Sequence, residues 1–496
     1  MWLNYNRHGT IYQLIVKLGL TVITIKKEMK IINVKNSSFS RFIKNSLIFF
    51  IGTILSKVLS FFLLPIYSRV IPTEDMGKFD VSITIMTMIA SICFFEIWSG
   101  VLRRAYEKET IDEKMESISG GIQIFFLSSV LFTILCISIC YIIGYKYKLC
   151  ILLYMLTYMS TNFFSFAARG LECNKKFAFS GFLASVVTVG LNLFLLLGVN
   201  LDYSALYIAA SAGFFCQSLF LFFSCKMHKA IPQIFKWKKA NFSLIKFCLP
   251  LCLNTVSFWC LTSLNRVVFN WIYGNAASGV FALGARFSTL VTLITTCFNY
   301  AWQDLSFSEN SKGADASKLY SKGCNLYMYF LFAGFIIILP TLFFIAPLFI
   351  TGDYSSAVSL LPLFILSAVI NGFSSFLGST FYAIKDTKSV LLTTIIGTGT
   401  NILICSPIIK FLGADGVNIS TCISFLVMIM VRVIILKKKI GFEINYKTVI
   451  FFIILVLISY LSFEYADWRV NIALLINGIG FFVYFIHKLL TKKKEF

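Results

Sequence analysis

Charged residues and histidines are scarce in this sequence, and their scarcity excludes several classes of protein. Only 13% of the 496 residues are charged, 3 are His, and 58% are apolar. A soluble protein of this length cannot bury so much apolar surface in one core, so a soluble fold is excluded. Catalytic signatures are also missing: there is no Gly-rich phosphate-binding loop and no Ser-His-Asp pattern. We therefore predict that the chain is not an enzyme.

Metal-ligand patterns are absent as well, although cysteine is common. The 14 Cys lie mostly within apolar stretches. None forms CxxC, and none stands beside a His at the spacing of a metal site. The thiols are predicted to be reduced, unpaired and packed as small apolar groups. We expect no metal site and no cofactor.

Long apolar runs are abundant, and they predict an all-α integral membrane protein. A helix of about 20 apolar residues spans a bilayer, and backbone groups inside lipid must be paired within the helix. The runs are continuously apolar rather than alternating, which argues against a membrane β-barrel. About fourteen transmembrane helices (spans 1 to 14) are predicted, at these runs: 45–66, 81–101, 118–144, 149–168, 178–199, 203–224, 247–272, 277–303, 324–350, 356–383, 389–409, 416–436, 448–463 and 470–487.

The positive charge of the chain follows this topology. The formal net charge is +22. With the N-terminus inside, Lys and Arg concentrate in the inside connections and are few in the outside ones, as the positive-inside rule requires. The charges form short clusters rather than a basic face, so nucleic acid is not an expected partner. Both termini are predicted to be cytoplasmic.

The two halves of the chain resemble each other weakly. Gly77 and Phe79, after span 1, have counterparts in Gly279 and Phe281, after span 7. Four residues of one half recur 209 positions later in the other: Lys176, Ser180, Gly190 and Asn192 return as Lys385, Ser389, Gly399 and Asn401. An offset of six spans keeps both halves in the same orientation. Such a parallel repeat usually means two lobes with a substrate path between them.

The repeat predicts two six-helix lobes plus two extra C-terminal helices. The predicted parts are a cytoplasmic N-terminal tail (1–40), an N-terminal lobe with spans 1 to 6 (41–225), a cytoplasmic interlobe loop (226–246), a C-terminal lobe with spans 7 to 12 (247–436), and spans 13 and 14 with a basic tail (437–496).

Three cations cannot be assigned to tails, connections or helix ends: Lys57 in span 1, Arg266 in span 7 and Arg286 in span 8. Each costs about 2.5–3.5 kcal/mol at a helix centre on insertion scales. A hydrated cavity, a counter-charge or an anionic ligand makes that cost tolerable. Glu96 is the only acid predicted to be well embedded, and one acid cannot neutralise three cations. We therefore predict that the three cations bind substrate, with ion pairing inside the bundle as the alternative.

Further candidates lie at the predicted inner mouth. Arg103 and Arg104 end span 2, and Asp304 ends span 8. Ordinary anchoring by positive charge is one interpretation of the two arginines; a landing site for a phosphate group from the inner leaflet is the other. Glu96 and Asp304 are the candidate titrating groups for coupling to a gradient of H+ or Na+.

The stretch 45–80 carries a resemblance to a known family. It contains Gly52, Ser56-Lys57, the segment LPIYSRVIP at 64–72, Gly77 and Phe79-Asp80. This pattern resembles the opening of the bacterial polysaccharide flippase family, a branch of the multidrug/oligosaccharidyl-lipid/polysaccharide exporter superfamily. The resemblance extends over about residues 41–490, through the helix count, the repeat and the Asn265-Arg266 segment.

The resemblance implies a fold, a cargo and partners. Spans 1, 2, 7 and 8 would line a central cavity that opens alternately to either side, with Lys57, Arg266 and Arg286 as its cations. The implied cargo is a polyprenyl-diphosphate-linked oligosaccharide, moved from the inner to the outer leaflet of the bacterial inner (plasma) membrane for lipopolysaccharide O-antigen or capsule assembly. Membrane lipids, and polymerase and chain-length proteins of the same pathway, are the implied partners. Family members often carry Asp where this chain has the neutral Asn265.

Three other functions stay open at this point. A multidrug or small-molecule exporter of the same superfamily would expel cations and need embedded acids, whereas span 1 offers Lys57. A flippase for a lipid-linked peptidoglycan precursor fits the same charges. A polysaccharide polymerase or ligase, which is an enzyme, would need a sizeable charged outer loop that the predicted topology lacks.

Overall fold

The computed structural model describes residues 59, 61–233, 239–310, 316–384, 386–465 and 467–491. This part of the chain is helical and contains no β-strand, which confirms the predicted all-α class. The helices, numbered in chain order, are α1 Leu64–Val70, α2 Thr73–Cys93, α3 Ile97–Tyr106, α4 Ile111–Ile142, α5 Lys148–Gly170, α6 Asn174–Leu193, α7 Ser204–Ser224, α8 Lys239–Thr262, α9 Leu264–Asn310, α10 Ala316–Phe349, α11 Leu361–Ala383, α12 Thr387–Ile440, α13 Tyr446–Glu464 and α14 Trp468–Thr491.

Ten helical segments of the described chain are long and apolar enough to cross a membrane. Two of them, Phe242–Thr296 and Thr387–Ile440, have 55 and 54 residues. At 1.5 Å per residue each is about 80 Å long, more than twice the roughly 30 Å of a bilayer core. Each contains a glycine with non-helical backbone, Gly274 (φ 81°) in α9 and Gly413 (φ 59°) in α12. These glycines let the chain reverse between two crossings, because glycine adopts positive φ without steric cost.

Not every predicted boundary agrees with the structure. Span 2 was predicted as one run, 81–101, but the chain breaks between α2 and α3, and Phe95 and Glu96 adopt left-handed backbone with φ of 52° and 55°. Helix α8 begins at Lys239, so the last part of the predicted interlobe loop (226–246) is helical. Most of span 1 and the predicted tail (1–40) lie outside the described residues. The count of fourteen and the division into lobes therefore stay predictions.

Large apolar side chains are exposed on the outer surface of several helices. Along α4, five side chains are between 46% and 67% exposed: Phe126, Leu127, Val130, Leu131 and Ile134. A continuous apolar face of this kind marks contact with a membrane in a protein whose helices are otherwise long and uncharged. The last two helices pack on α10, where the Phe332 and Phe452 rings stack with centroids 4.0 Å apart. The chain is a multi-pass membrane protein.

Helices α2 and α9 cross at two glycines. A Cβ on Gly77 would lie 1.9 Å from the Asn275 carbonyl oxygen, and a Cβ on Gly279 would lie 1.8 Å from the Thr73 carbonyl oxygen. The contacts are reciprocal, since Thr73 stands to Gly77 as Asn275 stands to Gly279. This is the geometry that a two-fold relation between the halves would produce, and only glycine permits the approach.

Candidate functional site

A cavity of about 300 Å³ lies where α1, α2, α5, α6, α7 and α9 meet. Its walls are mostly apolar and aromatic, and Arg286 is the only ionisable cation among its lining residues. The α2–α9 crossing positions this residue, because Arg286 follows Gly279 by two helical turns, which is about 10 Å along the axis. The polar remainder of the wall consists of hydroxyl and amide groups: Tyr67, Tyr154, Thr188, Asn192 and Thr289.

Arg286 contacts an aromatic ring rather than an acid. Its guanidinium carbon lies 5.0 Å from the centroid of the buried Tyr67 ring, within the range of a cation–π interaction. Tyr67 is held there by α1, which begins at Leu64-Pro65; proline suits the first turn of a helix because it lacks the N–H that would be unpaired there. Within the described part of the chain, Arg286 forms no ion pair.

Arg266 is in a different situation, because it has a counter-charge. Its Nη1 lies 3.6 Å from Oδ1 of Asp80, and the two side chains are 34% and 23% exposed. Asp80 lies in α2 and not, as predicted, in a connection before span 2. The expectation that Glu96 is the only embedded acid is therefore wrong. Arg266 is not among the residues that line the Arg286 cavity, and Lys57 lies outside the described residues.

Glu96 occupies the break between α2 and α3. Its Oε1 accepts hydrogen bonds from Trp98 Nε1 at 2.8 Å and from Ser99 Oγ at 3.3 Å. Its Oε2 is buried and has no hydrogen-bond partner among the described residues. Two consecutive non-glycine residues in left-handed backbone, Phe95 and Glu96, cost of order 1–3 kcal/mol each, and such strain is concentrated at functional sites. The break therefore presents a buried carboxyl group whose two oxygens are only partly paired by the described hydrogen bonds.

The two arginines predicted at the inner mouth are not among the residues that line the cavity. Arg103 is exposed, pairs with Glu107 at 3.0 Å and lies over the Phe247 ring at 4.5 Å. Arg104 is half-buried in the same turn of α3. Asp304 falls within α9, in a stretch whose side chains are outside the described part of the structure.

Asn265 does not face the cavity, although it precedes Arg266. It is fully buried, and its Nδ2 lies 2.9 Å from both Ser420 Oγ and Thr421 Oγ1 and 3.1 Å from Asn401 Oδ1. Asn401 returns a hydrogen bond to Asn265 Oδ1 at 2.8 Å and donates another to the Cys260 carbonyl at 2.9 Å. This cluster fastens α8 and α9 to α12.

Sequence reasoning missed a fourth embedded cation, Arg432. The residue is 4% exposed. Its Nε donates to Thr393 Oγ1 at 3.1 Å, its Nη1 to the Ser374 hydroxyl at 3.1 Å, and its Nη2 to Thr394 Oγ1 at 3.4 Å. Proximity to the lysines that end α12 made Arg432 resemble an ordinary anchor. The signal that was available is the row of Ser and Thr on α11 and α12, which supplies hydrogen-bond acceptors in a lipid environment.

The sequence signature of the polysaccharide biosynthesis protein family matches residues 42–302, which is more than half of the chain. Among curated protein sequences, none matches.

Several solved structures share the fold. The lipid II flippase MurJ, in an inward closed conformation, aligns with a TM-score of 0.67 and 17% identity over 90% of this chain and 99% of that one. An inward-facing multidrug resistance transporter of the MATE family, in the MOP superfamily, aligns with a TM-score of 0.65 and 15% identity over 78% and 94% of the two chains. An outward-facing MATE structure aligns with a TM-score of 0.57 and 15% identity over 82% and 97%. At such identities these likenesses establish the fold alone.

Proposed function

The chain belongs to the polysaccharide biosynthesis protein family, and from this membership and its transporter fold we propose that it is a flippase for a polyprenyl-diphosphate-linked oligosaccharide. It moves the repeat unit from the inner to the outer leaflet by alternating access. It resides in the bacterial plasma membrane with both termini in the cytoplasm. The cargo serves the assembly of a cell-surface polysaccharide such as O-antigen or capsule. The family membership also confirms the resemblance predicted from residues 45–80.

The observation that carries this proposal is Arg286, a guanidinium in a neutral cavity wall. A diphosphate cannot cross hydrocarbon unaided, because its charges would be stripped of water. A guanidinium presents a planar fork of N–H donors that matches phosphate oxygens with charge-assisted hydrogen bonds. Tyr67 offers only a ring face, and no acid of the described residues pairs with Arg286, so the diphosphate supplies the anion. A transporter of cationic drugs would place an acid in this position instead.

The size of the cavity limits what it holds. A volume of about 300 Å³ is at the small end of ligand sites, which range over about 300–1,000 Å³. We assign the cavity in this state to the diphosphate group. The oligosaccharide and the prenyl chain extend out of it, the chain into lipid, where its apolar surface belongs.

The other predicted residues keep proposed roles. Lys57 is the second substrate cation. Arg266 binds Asp80 in this state, so it reaches the cargo only in a state where that pair is broken. Arg103 and Arg104 receive the phosphate at the inner mouth. Glu96 and Asp304 couple transport to H+ or Na+, and the buried Oε2 of Glu96, which has no described partner, supports this role for Glu96.

Leaflet-resolved measurement of the cargo tests this function. The gene is deleted, and lipid-linked oligosaccharide is detected with a lectin or glycosidase that reaches only the outer leaflet. We expect cargo to accumulate on the inner leaflet. The wild-type gene and a matched Arg469→Ala control, altered at an exposed position in the first turn of α14, restore transport, and Arg286→Ala does not. Accumulation on the outer leaflet would indicate a polymerase or ligase. Normal lipid-linked sugar with altered drug sensitivity would indicate an exporter.

A further inference from the structure

A second cavity, of about 570 Å³, lies between α2 and α4, apart from Arg286. Its lining comes mainly from α2 between Asp75 and Met86 and from the end of α4 and its connection, between Ile139 and Lys146, with Asp202, Tyr203 and Asn275 at one end. We call it the α2–α4 slot. Its volume falls within the range of small-ligand sites, about 300–1,000 Å³.

The slot is charged at one end and apolar along the rest. Asp75 and Lys78 are at the end of α2 that the charge distribution predicts to be outside, and Lys146 and Asp202 come from connections predicted to be on the same side. From Asp75 to Met86 the slot follows α2 for about 16 Å. Below the charged rim the walls are aliphatic and thiol side chains, including Val81, Ile85, Met86, Ile139 and Cys140. The dimensions and polarity are those of a site at a membrane interface.

The lower part of the slot fits a hydrocarbon chain and not a sugar. Its few hydroxyls already bond one another: Tyr145 Oη lies 2.8 Å from Tyr207 Oη and donates to Ser82 Oγ at 3.4 Å. A sugar placed there would leave its hydroxyls unpaired against aliphatic walls, which costs several kcal/mol per group on hydrocarbon transfer scales. An acyl chain has no polar groups to leave unpaired against these walls, and it fills space that would otherwise be a void.

The rim carries both signs of charge. Lys78 Nζ lies 2.9 Å from Glu74 Oε1 and 3.5 Å from Asp75 Oδ1. Lys146 Nζ lies 3.6 Å from Asp202 Oδ2. The charged lining residues are two acids, Asp75 and Asp202, and two lysines, Lys78 and Lys146. The rim therefore has no net charge and gives no net attraction to an anionic head group or a diphosphate. A head group with an ammonium and a phosphate meets partners for both of its charges.

We propose that the α2–α4 slot binds one phospholipid with an amine-bearing, zwitterionic head group. The ammonium lies against Asp75 and Asp202, the phosphate against Lys78 and Lys146, and one acyl chain runs down the slot. This binding is separate from the proposed transport of a lipid-linked oligosaccharide and does not require it.

The position of Asn275 gives this lipid a conformational effect. Asn275 is part of the rim, and its carbonyl packs on Gly77 at the α2–α9 crossing. The rim is therefore complete only while the crossing is closed. A ligand that prefers the closed arrangement shifts the population toward it in proportion to its differential affinity. The bound lipid stabilises the state in which the outer ends of α2 and α9 are in contact.

Native mass spectrometry of the full-length protein tests the site. The purified protein is titrated with phosphatidylethanolamine, phosphatidylglycerol and phosphatidylcholine of identical acyl chains. We expect one ethanolamine lipid to be retained with about tenfold preference over the glycerol lipid, the size of one charge-assisted contact. Ile85→Trp fills the slot and abolishes retention. The matched control, Ile92→Trp, alters an exposed position on the same helix and leaves retention unchanged.

A second variant tests the head group separately. In Asp75→Asn/Asp202→Asn the chain still enters the slot, but the preference for ethanolamine over glycerol lipid falls toward one. Equal lipid retention by Ile85→Trp and Ile92→Trp would overturn the site. Preferential binding of phosphatidylglycerol or of a polyprenyl phosphate would overturn the head-group assignment. Because the readout is binding, a chain that fails to flip any cargo would still give a clear answer.

Discussion

Two asparagines at equivalent positions of the sequence repeat have opposite surroundings. Asn192 lines the Arg286 cavity, donates only to Thr188 of its own helix at 2.9 Å, and has a buried Oδ1 without a partner in the described chain. Asn401 exchanges hydrogen bonds with Asn265 and accepts another from Ser424 at 3.3 Å. One half thus keeps a cavity where the other half has a closed polar cluster. Under the predicted repeat, one half can take a ligand and the other half is held closed by hydrogen bonds.

The largest expected effect comes from deleting the polar group at each of these positions. Asn401→Leu removes its own hydrogen bonds and takes from the buried Asn265 Oδ1 the amide donor that it has in the described chain. We expect it to lower the free energy of unfolding by about 2–4 kcal/mol. Asn192→Leu removes one hydrogen bond within a helix and should cost less than about 1 kcal/mol. Unfolding in a graded denaturing detergent measures both. Equal losses of unfolding free energy in the two variants would contradict the difference between the surroundings of Asn192 and Asn401.

The second prediction concerns the cavity itself. Arg286→Ala should lower the rate of cargo transport about 10- to 100-fold, because one charge-assisted interaction with phosphate contributes about 1.5–3 kcal/mol. Unfolding should change little, since no described acid is left without its partner. Arg286→Lys keeps the charge without the planar fork and should recover part of the rate. Transport is measured in proteoliposomes with lipid-linked oligosaccharide.

Loss of stability in Arg286→Ala comparable to that in Arg432→Met would contradict this assignment. Arg432 is buried among Ser and Thr acceptors, so its removal should destabilise the fold and leave correctly folded molecules able to transport. The two arginines therefore separate a binding role from a structural one.

A smaller effect is expected at the crossing that joins the halves. Gly77→Ala and Gly279→Ala each place a methyl group against a carbonyl oxygen at less than 2 Å, so the helices must move apart. We expect each to cost about 1–3 kcal/mol, by similar amounts because the contacts are reciprocal. Gly190→Ala and Gly399→Ala are matched controls, since nothing lies within 4 Å of a Cβ there. Thermal unfolding measures all four, and a large difference between the first two would argue against a two-fold relation.

The smallest expected effect is a pH dependence of folding stability that arises from Asp386, in the connection between α11 and α12. Burial alone would raise the pKa of Asp386, but hydrogen bonds from the Lys439 ammonium and the Ser389 amide hold it below its ordinary value. Its contribution is therefore present above about pH 4, the usual carboxyl pKa, and is lost as the pH falls through the lower folded value. We expect the Asp386–Lys439 pair to contribute less than about 1 kcal/mol to the free energy of unfolding, because Lys439 is half exposed.

Comparison of wild type with Asp386→Asn between pH 7 and pH 3 measures this contribution. The wild type should lose slightly more stability across that interval than the variant does. An identical pH profile for the two proteins would show that the ion pair contributes nothing to stability.

The class of the fold could be predicted because it depends on local composition. Runs of apolar residues partition into lipid wherever they occur, and their backbone must then be helical. The reversals near Gly274 and Gly413 also fall between predicted spans. The break at Glu96 could not be predicted, because Phe95 and Glu96 adopt left-handed backbone that no local residue preference favours, and only surrounding packing maintains it.

The candidate site was predictable only in part. Arg286 was found because a charge in an apolar run is costly wherever it points. Whether such a charge meets a cavity, an acid or a ring depends on helices far away in sequence, and Asp80 opposite Arg266 is such a case. Arg432 was overlooked for the same reason, since its partners Ser374 and Thr393 lie on two other transmembrane segments.

By itself the sequence determined that this protein is a helical, multi-pass membrane protein with costly cations in its spans, because hydrophobicity and charge are properties of each segment. Only the tertiary structure decided which cation faces a cavity, which has a counter-charge and which is enclosed by hydroxyls. A helix that is apolar on every side does not reveal which face meets lipid and which meets another helix. The packing of the helices decides which face is which. Asn192 and Asn401, at equivalent positions of the predicted repeat, therefore differ: Asn192 lines a cavity and Asn401 belongs to a hydrogen-bonded cluster.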